Sequence, residues 1–154
     1  MSEVHEEVND ALRAAWGIEP GAAFPPASHQ RLNIAWNAYE PKRTLLATVR
    51  FPADAAGAQA TIDHGQALAA FEVAAHAFAC LTAHKRCVTL TMEGQFLRQL
   101  TADGEPVTVE IQIRATRKSI VFVEGVVKGA DRHPALYASA SFAALKQHAS
   151  GVEG

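Results

Sequence analysis

Two cysteines in 154 residues are too few for a disulfide scaffold, and Cys80 and Cys87 do not stand in a paired metal-ligand spacing. Both are expected as free thiols in a reducing cytoplasm. Charge of one sign is equally scarce: the net charge of −2 offers no electrostatic footprint for nucleic acid or for an anionic membrane. Any anionic ligand must then be met by a local group of basic residues. The chain also lacks a comfortable membrane span, because its most apolar stretch, Ala67 to Leu81, is interrupted by Glu72 and His76 and falls short of roughly 20 apolar residues. The opening Met1-Ser2-Glu3-Val4-His5-Glu6-Glu7 is acidic, without the basic-then-apolar order of a signal peptide, so a cytoplasmic location is expected.

What is present is a globular composition, 49% hydrophobic and 19% charged, in a length that suits one domain over residues 1–154. The stretch that organises it is Thr61 to Leu81. After Asp63-His64-Gly65 the chain runs alanine-rich and nearly uncharged for about five helical turns. A helix apolar all round is a buried helix. Within it Glu72 and His76 stand four apart, on one face, and a carboxylate in such surroundings must be paired, shifted or put to use.

Around this stretch the periodicity predicts an N-terminal amphipathic helix over 3–16, with Val4, Val8, Leu12 and Trp16 on one stripe. A Pro- and Gly-rich loop over 17–28 follows. The period then changes to two, predicting a hairpin of strands from Arg31 to Glu40 and from Leu45 to Phe51. A small-residue loop over 52–60 leads to the central helix. Beyond it, strands are predicted over 87–100, with Val88, Leu90, Met92 and Phe96 on one face, and over 107–114, 119–128 and 135–145, with a loose tail over 147–154. Short connections demand antiparallel neighbours, so the fold class is α+β, with one curved sheet of about six strands around one long helix.

His64-Gly65-Gln66, the acid Glu72 and Phe96-Leu97-Arg98-Gln99 followed by Gly104 resemble, in order and spacing, a hot-dog-fold thioesterase of the small acyl-CoA type, phenylacetate-pathway-like, with its acid on the central helix. The resemblance spans about residues 30–145. It departs from the family pattern at Gln66, where a second Gly is usual, and in an interval from His64 to Glu72 that is one residue shorter. If the gap falls in the entrance loop, Glu72 is the family acid; if it falls in the helix, Glu72 points about 100° away.

The resemblance implies hydrolysis of an acyl-CoA thioester to free CoA and a carboxylic acid. Glu72 would be base or nucleophile, and amides at the helix entrance, from Gly65, Gln66 and Ala67, would polarise the carbonyl. No metal or redox cofactor is needed, CoA entering only as part of the substrate. Glu72, His76 and Cys80 mimic a metal stripe, but successive fourth residues spread over about 12 Å, too far to grip one ion. Gly65 and Glu72 are seven residues apart in sequence, about 10 Å along a helix, so both cannot touch one thioester unless a second subunit completes the site. A homodimer or a dimer of dimers, a homotetramer, is therefore expected.

His64 is expected to shape the entrance. His76 is expected to bond Glu72 or contact substrate, and Gln59 is a further substrate-side candidate. Arg98, Arg114, Arg117 and Lys118 are the cations available for CoA phosphates, the last two at a strand connection. Phe71, Phe78 and Phe96 line an acyl pocket or fill the core. Two other functions share the pattern: a hot-dog hydratase or dehydratase, and an acyl- or CoA-binding module without turnover.

Overall fold

The structure, a computed structural model, describes residues 2–19, 21–52 and 61–146. Gln59 and the tail over 147–154 fall outside those residues.

The first helix, α1 (Glu3–Trp16), is capped by Ser2, whose side chain accepts from the His5 amide at 3.2 Å, and ends at Gly17 in the left-handed region. It buries His5, Val8, Leu12 and Trp16. The strand expected from Arg31 begins later. A short helix, α2 (Ala27–Arg31), takes up the end of the expected loop, Asn33 turns at φ 45°, and β1 (Ala35–Glu40) follows. The alternation of Leu32, Ile34 and Trp36 still buries all three, two of them through a turn rather than a pleat. Next come β2 (Thr44–Val49), the two-residue β3 (Thr61–Ile62) and the central helix α3 (His64–Ala83). Five strands complete the chain: β4 (Cys87–Phe96), β5 (Leu100–Thr101), β6 (Val107–Arg117), β7 (Ile120–Lys128) and β8 (Pro134–Ala144).

Six strands form one antiparallel sheet in the order β1-β2-β6-β7-β8-β4, while β3 pairs only with β5. The inner face presents Leu45, Val109, Ile111, Val123, Val127, Leu136 and Phe142 to α3, which answers with Phe71, Phe78 and a row of alanines, all buried. Alanine lets the sheet approach closely. Gly125 does so from the other side: a Cβ there would lie 2.5 Å from the Glu110 carbonyl oxygen and 3.1 Å from Phe71 Cε1. At 20 residues α3 is longer than expected, and by length and composition it could cross a membrane; the sheet and α1 instead bury more than half of its apolar stretch.

The strand β4 corrects the sequence reading most. Val88, Leu90, Met92 and Phe96 do not form a buried face but stay 43%, 51%, 37% and 37% exposed. A bulge between Thr89 and Thr91 leaves Leu90 unpaired and exchanges the faces of the strand. Thr89, Met92, Gly94 and Phe96 therefore face α3, while Val88, Thr91, Glu93 and Gln95 face outward. Among the described residues no strand pairs with the outer edge of β4.

Candidate active site

One stripe of α3 is left uncovered beside that free edge. Gly65 and Ala69 are exposed on it, and Gln66, Leu68, Glu72, Val73 and His76 are half-buried. The sequence candidates on α3 thus share one strip of the molecule, between the helix entrance and β4.

At the entrance Asp63 caps the helix, its carboxylate accepting from the Gln66 amide at 2.9 Å while its carbonyl takes the Ala67 amide at 3.2 Å. Of the three amides expected to polarise a carbonyl, only that of Gly65 has no partner among the described residues. The sequence reading missed Asp63, although the Asp63 to Gln66 spacing is a capping-box pattern that could have revealed it. His64 lies exposed with its ring stacked on Phe96, centroids 4.2 Å apart and planes 11° apart. Phe96 therefore belongs to the entrance, whereas Phe71 and Phe78 are fully buried in the core.

Two turns along, Thr89 Oγ1 donates to Glu72 Oε1 at 3.1 Å. Nothing in the sequence pattern selected Thr89, because the bulge at Leu90 puts it on the face opposite to the one its alternation indicates. The carboxylate meets a neutral hydroxyl rather than a buried arginine, so it keeps acceptor capacity for a water or a substrate.

His76 does not hydrogen-bond Glu72. Its Nε2 lies 2.8 Å from the Cys87 carbonyl oxygen, which can only accept, so Nε2 carries the proton; the same atom is 3.7 Å from Cys80 Sγ. The ring stacks on Trp16, centroids 6.2 Å apart. The contact with Cys80, aided by the Cys87 carbonyl and the charge of Glu72, holds the imidazole above its ordinary value. His76 thus ties α3 to β4 and α1, one turn below Glu72.

The expected phosphate-binding cations are placed apart. Arg98 is engaged within its own chain, donating to Asp131 at 2.6 Å and to the carbonyls of His133 at 2.7 Å and Pro134 at 3.2 Å. It clamps the β7–β8 turn. Arg117 and Lys118 lie exposed in the β6–β7 turn. The register carries Arg117 to Ile120, Ile120 to Ala143 and Ala143 to Val88, so that turn borders the Cys87 end of β4, at the opposite end of the sheet from Gly65.

A concavity of about 890 Å³ lies on the outer face of the sheet, between Glu93, Glu110, Gln112, Glu124 and Tyr137; Arg114 is the one candidate residue that lines it, its guanidinium 3.5 Å from the Glu124 carboxylate. Among the described residues no three His, Cys, Asp or Glu side chains converge on a metal position.

Comparison with known proteins bears on the fold and on the family. No curated protein matches the chain. Solved structures do. A thioesterase from Haemophilus influenzae superposes with a TM-score of 0.75 at 12% identity, covering 98% of this chain and 96% of its own. The PaaI protein of the phenylacetic acid degradation operon of Escherichia coli gives 0.68 at 16%, covering 93% and 99%. A Streptococcus mutans protein bound to acetyl-CoA gives 0.67 at 10%, covering 86% and 98%. These superpositions establish the hot-dog fold. The family itself follows from the sequence, since residues 59–135, half of the chain and the part that carries α3, β4 and the entrance, match the model of the thioesterase superfamily: the chain belongs to that superfamily.

Proposed function

We propose that the chain hydrolyses an acyl-CoA thioester in a homodimer, with Glu72 as the group that activates water or attacks the carbonyl. The observation that carries this reading is the Glu72 carboxylate, half-buried on the open stripe of α3 and held only by Thr89 among the described residues, beside a sheet edge with no partner. As base, Glu72 takes a proton from water as the oxygen adds to the thioester carbon. As nucleophile, it forms a mixed anhydride that water then opens. In both routes the carbonyl oxygen gains charge at the Gly65 amide and CoA leaves as thiol.

Gly65 and Glu72 of one chain stand about 10 Å apart along the helix, so each is assigned to a different half of a shared site. Antiparallel pairing of two β4 edges supplies the second half. It carries the entrance of one subunit toward the Cys87 end of the other, where Arg117 and Lys118 meet solvent and can receive phosphates. The acetyl-CoA held by the Streptococcus mutans neighbour supports CoA as the carrier.

One feature favours a second reading, a binding module without turnover: the Asp63 carboxylate occupies the Gln66 amide and puts negative charge where an oxyanion would form. Thiol release from short, medium, long and aromatic acyl-CoAs, measured with wild type and Glu72→Gln, separates the two. Hydrolysis is expected, with kcat falling roughly 10²- to 10⁴-fold in the variant. Undiminished turnover in Glu72→Gln would sink the assignment, and thermal stabilisation by acyl-CoA without turnover would establish the binding module.

A further inference from the structure

Glu72 and His76 stand one turn apart on the open stripe of α3, and β4 answers them with two residues that are themselves two apart. Thr89 Oγ1 donates to Glu72 Oε1 at 3.1 Å, and His76 Nε2 donates to the Cys87 carbonyl oxygen at 2.8 Å. Four residues of helix advance about 6 Å and two residues of strand about 6.6 Å, so the two contacts are rungs of one ladder between the elements. The His76 rung is the better supported. Its ring lies against Trp16, centroids 6.2 Å and planes 26° apart, and against Phe142, centroids 5.9 Å apart, which fixes the direction of the N–H. The Glu72 rung hangs on an exposed threonine, next to the bulge between Thr89 and Thr91 where the pairing of β4 with β8 shifts.

We propose that His76 is a positioning residue for the acid: by holding the Cys87 carbonyl it sets where Thr89 stands, and Thr89 in turn orients the Glu72 carboxylate. In the function proposed above, on which this rests, Glu72 acts on the thioester directly. The Cys87 carbonyl belongs to the planar peptide unit that ends at the Val88 Cα, one residue short of Thr89, so fixing that plane leaves few torsions between the anchor and the hydroxyl. Other ties at this end of β4 lie further back. Arg86 Nε donates to the Trp16 carbonyl at 2.9 Å, and the Leu145 amide donates to the Arg86 carbonyl at 2.8 Å. Of these three, the His76 bond is nearest to Thr89.

Two substitutions separate the N–H from the rest of the side chain. His76→Phe keeps a ring against Trp16 and Phe142 and removes the donor. His76→Gln loses the ring and any charge but sets an amide nitrogen where Nε2 stood. On the best substrate of the acyl-CoA panel, His76→Phe should lower kcat roughly three- to tenfold with KM little changed, because the acid is misplaced rather than removed. His76→Gln should recover most of that loss. In Thr89→Val, where the relay is already cut, adding His76→Phe should lower kcat by less than about twofold more.

Three results would overturn the proposal: His76→Gln as slow as His76→Phe, a change confined to KM, or losses from His76→Phe and Thr89→Val that multiply in the double variant. Should His76→Phe not fold, His76→Asn takes its place in each comparison, since its amide is one bond shorter and falls short of the Cys87 carbonyl. Glu72→Gln is measured alongside. No turnover in the wild type, or undiminished turnover in Glu72→Gln, would sink the proposed function and the role of His76 together. A loss in Glu72→Gln with full turnover in His76→Phe would sink the role of His76 alone.

Discussion

The Glu72–Thr89 contact is small, one hydroxyl on one carboxylate oxygen at 3.1 Å, but it orients the only acid on the open stripe of α3. Thr89→Val keeps the shape and removes the donor. Kinetics on an acyl-CoA substrate should show kcat lower by about tenfold, equivalent to about 1.4 kcal/mol, with KM little changed. A change confined to KM would count against a positioning role. A second residue sets the response to acid. His29 is buried between the edges of Trp16 and Trp36, its Nδ1 without a partner among the described residues; burial, with His76 close by, lowers its pKa to about 4. Between that value and 6.5 the unfolded chain binds a proton there that the folded chain refuses. Stability contributed by neutral His29 is therefore present above about pH 6.5 and lost as pH falls toward 4, with a slope of up to about 1.4 kcal/mol per pH unit. His29→Phe, which keeps an aromatic ring in the slot, should flatten the melting temperature against pH over that window. An unchanged slope would show that other groups govern the acid limb.

At the scale of elements, α3 and β7 meet through the absence of a side chain. Gly125→Ala would drive a Cβ against the Glu110 carbonyl, in the backbone of β6, and against the fully buried Phe71 ring of α3. Chemical denaturation should show a loss of about 1–3 kcal/mol; a loss below a few tenths would mean that the strand yields easily. The strand β4 shows the limit of pattern reading. Its alternation was legible, but the bulge at Leu90 exchanged its faces, and one extra residue in a strand leaves no mark in the order of apolar and polar residues. For the same reason Thr89 could not be found in advance as the partner of Glu72. The helix entrance was legible in part. Asp63 precedes the helix in capping-box spacing, and it takes the amide that the resemblance had assigned to substrate.

For the molecule as a whole, the exposed apolar side chains along β4, Val88, Leu90, Met92 and Phe96, lie at an edge that no strand pairs with among the described residues. Pairing with a second copy satisfies both at once, and a stable dimer of this kind buries about 1,200–2,000 Å² in total. The contrast with the opposite edge is informative. There α1 packs on β1, its His5 Nδ1 accepting from the Trp36 amide and its Asn9 Oδ1 from the Trp36 indole, each at 3.1 Å. The proposed dimer predicts that Leu90→Lys, placed on that edge, shifts the sedimentation coefficient from dimer to monomer and removes thioesterase activity with it. A monomer that kept full activity would refute the shared site.

The sequence by itself determined the fold class, the central helix and the alternating strands, because hydrophobic period and local caps act over a few residues and leave their mark in the order of the chain. Tertiary structure decided which face of β4 meets the helix, that Thr89 holds Glu72, that Arg98 is engaged by Asp131, and that His76 turns toward two cysteines instead of its neighbouring carboxylate. Those pairings join residues far apart in the chain or depend on a single bulge. They are settled by packing and hydrogen-bond satisfaction in three dimensions, which no local pattern records.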